Sequence, residues 1–297
     1  MLLPMETRWN DGAFTSHVEN LVWTASSTVR RYLHRLVSGT PDCDWLTYVE
    51  WKHLPPRVDR ALVLGCGSGW LERALSERGR FERIVACDFA PATVERARKE
   101  AQRLNHANIE YRVLDLEHEP LDGPYGAIFA NDVLHHITDL EGIASRIAAA
   151  LAPEGKFIFN EYVGPNRFQY TDERMDFVNR YFRLLSDDLR RDPFTGAVLW
   201  RRERFSAEQV IREDPTEAVR SEDVLPIARA SFRMEREYRY GGGLLNPLLY
   251  GVVANFRHEN PRDVNLLETL CGAEERLSDA GEIEPDFSIF VGTRREA

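Results

Sequence analysis

The stretch Leu62-Val63-Leu64-Gly65-Cys66-Gly67-Ser68-Gly69 constrains this chain more than any other. An apolar run stops at three alternating glycines, and an amphipathic run follows from Trp70. The first reads as a buried strand and the second as a helix. Glycines take backbone conformations closed to other residues and let a ligand approach the main chain. The helix beyond offers N–H groups that lack partners within the helix. Dinucleotide binders use a similar bend, but their fingerprint is Gly-x-Gly-x-x-Gly. Here the third glycine comes one residue early.

The same unit then repeats. Arg60–Gly65, Arg83–Asp88, Ile109–Asp115, Tyr125–Asn131 and Lys156–Tyr162 read as strands, and Trp70–Arg78, Pro91–Leu104 and Leu140–Leu151 as helices. Short connections between them predict an α/β fold, a parallel sheet with helices on both faces. After residue 162 the rhythm breaks. Residues 165–220 are arginine-rich and read as helical in pieces. Ser221–Ala230 reads as a helix, Ser231–Tyr240 as a strand, Leu244–Phe256 and Asp263–Leu277 as helices, and Asp286–Thr293 as a closing strand. Ahead of the core, residues 14–53 read as mainly helical, with a break at Gly39-Thr40-Pro41. The expected organisation is a helical lid (1–56), a cofactor-binding core (57–165), a cap insertion (166–220), a core helix and strand (221–243), a second cap insertion (244–282) and a closing strand (283–297).

Two acids join the glycine bend. Asp88 ends the second strand, roughly twenty residues on, where a carboxylate can accept both hydroxyls of a ribose. Asp115 ends the third strand, where a carboxylate can accept from an exocyclic adenine amine. Open parallel sheets bind ligands outside the carboxyl ends of their strands, and all three features lie on that edge. Each aspartate alone also fits a solvated strand end or a helix cap. Together with the bend they describe a nucleoside pocket.

With these residues in place, the sequence resembles the class I S-adenosylmethionine-dependent methyltransferases. The matching residues are Leu64–Gly69 (LGCGSG), Cys87–Pro91 (CDFAP), Leu114–Glu117 (LDLE), Phe129–Ile137 (FANDVLHHI) and Leu151–Tyr162 (LAPEGKFIFNEY). The resemblance covers residues 60–162 and resumes at 221–240 and 286–293. It implies a Rossmann-like, seven-stranded, mostly parallel sheet of order 3-2-1-4-5-7-6 with a helical cap built from insertions. It implies S-adenosylmethionine as cofactor, with Gly65, Cys66, Gly67 and Gly69 facing its methionine part and ribose. Asp88 would hold the ribose with Phe89 next to it, Asp115 the adenine amine with Leu116 alongside, and Asn131 would line the methionine end. One position departs: the family usually has an acid two residues before the first glycine, and Val63 stands here. The anchor of the cofactor's amino group is then elsewhere or weaker, with Asn131 and the N-terminal segment as candidates.

A sulfonium methyl is already activated, so transfer needs an aligned nucleophile about 3 Å away and exclusion of water. A base is needed only where the nucleophile must lose a proton. The candidate catalytic groups are His135, His136, Glu161 and Tyr162. The two histidines follow the fourth strand and read equally as structural loop residues. Asn160–Gln169 leaves the fifth strand at the active edge. It reads either as a rigid turn with Glu161 as a cap or ion-pair partner, or as a wall in which Glu161, Tyr162 and Arg167 face the methyl or the substrate. Gln169 is a further substrate candidate, and the ring face of Tyr162 suits a sulfonium. The inserted aromatics, among them Phe168, Tyr170, Phe182 and Trp200, read first as the core of the cap. Phe14, His17, Trp23 and Tyr32 are candidates to close a lid.

Composition narrows the partners. A net charge of -10 disfavours nucleic acid. No apolar run approaches the roughly 18 residues of a membrane span, and Met1–Asn10 lacks a secretory pattern, so the cytosol is expected and a membrane partner is not. Cys43, Cys66, Cys87 and Cys271 lack metal-ligand spacing, and no cysteine accompanies the histidine pair, so no metal is expected. The expected substrate is a small or carrier-bound metabolite with an oxygen or nitrogen acceptor. Two other readings stay open: intramolecular cyclisation of the cofactor's aminobutyrate chain, and cofactor binding without catalysis. A dinucleotide reductase is opposed by the glycine spacing.

Overall fold

The computed structural model describes residues 21–295. Phe14, His17 and the start of the helical stretch expected from residue 14 lie outside them. Helices α1 (Ser27–Ser38) and α2 (Trp45–His53) lead into β1 (Val58–Leu64), α3 (Trp70–Glu77), β2 (Phe81–Asp88), α4 (Pro91–Arg103), β3 (Ile109–Val113), β4 (Tyr125–Asn131), α5 (Leu140–Ala150) and β5 (Leu151–Tyr162). Then come α6 (Asp172–Phe182), α7 (Ala207–Glu213), α8 (Ser221–Ser231), β6 (Phe232–Tyr240), α9 (Leu245–Leu249), α10 (Pro261–Asp279) and β7 (Phe287–Arg294). The seven strands lie in the order β3-β2-β1-β4-β5-β7-β6. β1 to β5 pair in parallel, and β7 runs antiparallel between β5 and β6. The fold is Rossmann-like, as the resemblance implied.

Side chains alternate across the sheet because successive residues of a strand point to opposite faces. Leu62 and Leu64 of β1 join Val85, Ile128, Phe157 and Phe159 on one face, covered by α5 and α8. Ala61 and Val63 join Ala127, Phe129 and Ile158 on the other, covered by α3 and α4 and continuous with α1, α2, α6, α9 and α10. Each fully buried Leu or Phe stabilises the fold by about 1.5–3 kcal/mol. One outer strand, β6, keeps Arg233, Glu235 and Arg239 exposed, a charged edge that discourages pairing with another chain.

Local signals set the element ends. Ser26 caps α1 by accepting from the Val29 amide, and Gly39 closes it at φ 83°. Pro91 opens α4, where its missing N–H costs nothing. The helix expected over Leu244–Phe256 is instead the short α9 and a 3-10 turn, Val252–Asn255. Gly251, at φ 78°, breaks the two apart. Among the described residues, no helix is long and apolar enough to cross a membrane.

Candidate active site

The parallel strands deliver their carboxyl ends to one edge. β1 ends at Leu64, level with Cys87 of β2 and Ala130 of β4, and Asn131 pairs with Asn160 of β5. From Leu64 the chain turns through Gly65, Gly67 and Gly69, at φ 60°, 50° and 83°. A side chain at Gly65 would place its Cβ 2.4 Å from the Val133 side chain, whereas one at Gly67 would meet nothing within 4 Å. The bend is therefore pressed against the β4 loop on one side and open on the other. The Asp88 carboxylate closes the bend: Oδ2 accepts from the Gly67 amide at 3.0 Å, and Oδ1 from the Ala90 amide at 3.0 Å. Burial raises its pKa, against the pull of these amides. Each oxygen has lone pairs left for a diol. Phe89 beside it is exposed, and Leu116 is buried.

Asp115 sits half-exposed at the end of β3's extension. Its Oδ1 accepts from the Glu117 amide at 2.8 Å, and Oδ2 lies 2.8 Å from His118 Nδ1. That hydrogen bond lowers its pKa. Cys66 is buried inside the bend, its amide donating to the Cys87 carbonyl. Asn131 belongs to a hydrogen-bonded file across three strands. The Tyr240 hydroxyl donates to Asn160, Asn160 Nδ2 to Asn131 Oδ1 at 2.9 Å, and Asn131 Nδ2 to Asp132 Oδ2 at 2.8 Å.

Next to this file lies a cluster of titratable groups. Glu161, wholly buried at the end of β5, accepts from the Val133 and Leu134 amides with Oε1 at 2.6 and 2.7 Å. Its Oε2 lies 2.8 Å from His135 Nδ1. Burial would lower the His135 pKa, but the hydrogen bond and charge of Glu161 outweigh it and raise it to about 9. His136 is lowered by burial and by its neighbour's charge. Asp132 adopts φ 51°, an uncommon conformation for a residue other than glycine. It lines a cavity beside the sheet edge. The residue is exposed at the cavity wall, yet the protein packed around its carboxyl, together with Glu161, raises that group to about 7.

That cavity measures about 870 Å³. Asn131, Asp132, His135, His136 and Tyr162 form one wall, and Trp23, Trp45, Tyr170 and Arg202 contribute to others. Gly65, Gly67, Asp88 and Asp115 are not among its walls, so the glycine bend and the cavity are adjacent regions that meet near Trp70 and Asn131. Tyr162 presents its ring to the cavity while its hydroxyl donates to the Pro165 carbonyl at 3.0 Å. Burial raises its pKa well above 10, so it keeps its proton at neutral pH. Arg167 does not line the cavity. Its guanidinium donates to the Glu217 and Pro215 carbonyls at 2.7 and 2.8 Å, and so ties the end of the first insertion to β5. Gln169 is exposed and donates to the Arg167 and Phe205 carbonyls. Of the proposed cap aromatics, Phe182 is buried and Trp200 is exposed.

Four participants were missed in the sequence. Asp132 lay inside a quoted motif, but nothing in its spacing pointed to a strained backbone. Glu217 and Asp214 belong to an insertion with no periodic signal. Glu72 was missed too. It is wholly buried one turn into α3, and a Cβ at Gly69 would lie 2.8 Å from its Oε1. Neither of its oxygens has a well-formed hydrogen bond, although the Tyr111 hydroxyl stands nearby, and burial raises its carboxyl to about 7.

Residues 62–159 match the family model described as "Methyltransferase domain". The malonyl-[acyl-carrier protein] O-methyltransferase of Acetivibrio thermocellus is 33% identical over 101 residues, 34% of this chain and 35% of that protein. The ubiquinone biosynthesis O-methyltransferase of Methylocella silvestris is 34% identical over 127 residues, 42% of this chain and 48% of that one. The chain thus spans a third to a half of the length of these relatives. Among solved structures, a chain of the Haloferax volcanii complex of the Trm112 methyltransferase activator with a methyltransferase aligns over 100% of both chains, with a TM-score of 0.53 and 13% identity. At that identity the likeness is one of fold.

Proposed function

We propose that this chain, whose residues 62–159 form a domain of the class I S-adenosylmethionine-dependent methyltransferase family, transfers a methyl group to an oxygen or nitrogen of a small molecule held in the cavity beside Asn131. The observation that carries this reading is the adjacency of two regions. One is a glycine bend closed by Asp88, with open space above Gly67. The other is a cavity of about 870 Å³ walled by titratable side chains. The bend fits the cofactor because its amides and the Asp88 carboxylate offer a backbone cradle and a diol acceptor at the strand ends. Gly65, Cys66, Gly67, Gly69, Asp88, Phe89, Asp115, Leu116 and Asn131 are the residues proposed to hold it.

Bound there, S-adenosylmethionine supplies an electrophilic methyl on sulfonium, which an acceptor lone pair displaces to leave S-adenosylhomocysteine. The chain's own residues handle position, water and the proton. Trp23, Trp45 and Tyr170 wall the cavity with apolar surface and limit water. Asp132, with its carboxyl near 7, is matched to accept the acceptor's proton on Oδ at neutral pH. His135, near 9, is charged at that pH and better suited to orient an acceptor oxygen. Glu161 acts through His135 and the β4 turn, as a positioning residue. The cavity leaves room for an acceptor beside the sheet edge, which favours intermolecular transfer over cyclisation.

The test is product analysis. Protein incubated with cofactor and a panel of phenolic, carboxylic and amine acceptors is expected to yield S-adenosylhomocysteine and methylated acceptor. Methylthioadenosine as the main product points to cyclisation. Binding without turnover across the panel points to a non-catalytic role.

A further inference from the structure

We propose that His135, His136 and Glu217 form a binding site for one divalent transition-metal cation on the acceptor wall of the cavity. The existence of the site stands on its own geometry; its use in catalysis rests on the methyl-transfer reading. The 3-10 turn Leu134–His136 sets the two imidazoles side by side, with ring centroids 4.3 Å apart. Glu217 faces them from the segment between α7 and α8. That segment is tied down by the Val219 amide, which donates to the His135 carbonyl at 3.0 Å, and by the Arg167 guanidinium on the Glu217 carbonyl. Nε2 of His135 lies 3.6 Å from Glu217 Oε1, and Nε2 of His136 lies 4.0 Å from Oε2. One ligand atom from each residue falls within 4.8 Å of the others. Ligands about 2.0–2.1 Å from a tetrahedral metal stand about 3.3 Å apart, so a cation needs these three groups to draw together by up to about 1.5 Å.

Hydrogen bonds behind the imidazoles turn the right nitrogens inward. Glu161 Oε2 takes the Nδ1 side of His135. His136 Nδ1 lies 3.1 Å from Thr216 Oγ1, whose own proton goes to Asp214 Oδ1 at 2.7 Å. A hydroxyl that gives its proton to a carboxylate is left to accept, which favours the His136 tautomer with hydrogen on Nδ1, the form that would offer Nε2 to a cation. Ligand histidines have this outer arrangement, an Nδ1–H held by a carboxylate or hydroxyl that fixes the tautomer. Two imidazoles and one carboxylate suit zinc, manganese or iron(II) better than calcium or magnesium, which prefer oxygen. All three residues line the cavity, so the open coordination positions face an acceptor. A hydroxyl bound there would lose its proton more readily, as metal-bound water does. In the cation's absence a proton on His135 Nε2 fills the same gap between Glu161 and Glu217.

The full chain, stripped with EDTA and dialysed, is titrated with Zn2+ by calorimetry and with Co2+ by visible absorption. One equivalent per chain is expected, with the d–d bands of low-coordinate Co2+. His136→Ala should weaken binding at least about 100-fold, and Glu217→Gln, on a half-exposed loop that tolerates change, at least about 10-fold. Cys43→Ser, which removes the half-exposed thiol, should leave it unchanged. Binding of S-adenosylhomocysteine, measured on the same samples, reports that the variants fold. Absence of cation binding, or binding equal in the wild type and both variants, overturns the site and leaves the methyltransferase reading standing. Cation binding in a protein that takes up no S-adenosylhomocysteine upholds the site and removes that reading.

Discussion

The glycine bend and the acceptor wall are built on opposite plans. At the bend, contacts run between one carboxylate and backbone amides within a single β-α-β unit: Asp88 holds Gly67, 21 residues before it, and Ala90, two after it. At the acceptor wall, side chains from β4, β5 and the first insertion hold one another, and His136 meets Thr216 from 80 positions away. The first plan fixes a site by chain geometry that any sequence of this fold can keep. The second stakes its shape on a few coupled charges that an insertion can replace. A common donor with a private acceptor is what such a division allows.

The sharpest way to break this contrast is Glu161→Gln. The amide loses one acceptor where three N–H groups converge, so the turn and His135 move out of place. Turnover should fall about 100- to 1000-fold, while affinity for S-adenosylhomocysteine stays within about threefold by calorimetry. Equal losses in both would show that the two regions are not separate. Asp88→Ala should do the converse at somewhat smaller scale. Losing two charge-assisted hydrogen bonds should weaken S-adenosylhomocysteine binding about 100-fold, and unchanged affinity would remove the ribose assignment.

Glu72 lies under the bend and should report on stability. Its folded pKa, near 7, exceeds the ordinary value of 4.5. The folded state therefore binds the extra proton, and the stability this gives is full below about pH 4.5 and is lost as pH rises through about 7. Glu72→Gln, neutral at every pH, should flatten that slope and stabilise the protein at pH 8 by about 1–3 kcal/mol. Melting temperatures of both proteins between pH 5 and 8 test this; parallel curves would show that the carboxyl ionises without penalty. Gln169→Ala should have the smallest effect, below about threefold in acceptor KM and about 1 kcal/mol in stability. Its amide spans two exposed carbonyls and touches no cavity wall. A larger rise in KM would restore it to the substrate surface.

Legibility in the sequence followed the same division. The bend, Asp88 and the strands themselves were readable because glycine spacing and strand periodicity are local, whereas the order of the sheet came from the family resemblance. The histidine pair and Glu161 were readable as candidates because they close the fourth and fifth strands at the active edge. Their partners were not, since Asp214 and Glu217 come near only when the insertion folds back over the sheet. Arg167 shows the limit from the other side. It was singled out for its charge beside the active edge, yet its guanidinium is spent on two carbonyls. Glu72 left a faint trace, an acid among Leu71 and Leu75 on the inner face of α3, in a chain whose usual acid before the first glycine is Val63.

The strand β7 enters the sheet between two strands made long before it, and it brings Phe287 against Trp23 and Tyr162, with centroids 5.4 and 5.6 Å apart. During synthesis the ribosome must release residues 287–294 before β5 and β6 are joined. Until then the cavity lacks Phe287, although every residue of the glycine bend has already been made. A nascent chain paused before that strand is thus expected to hold the nucleoside without the enclosure that commits it to reaction.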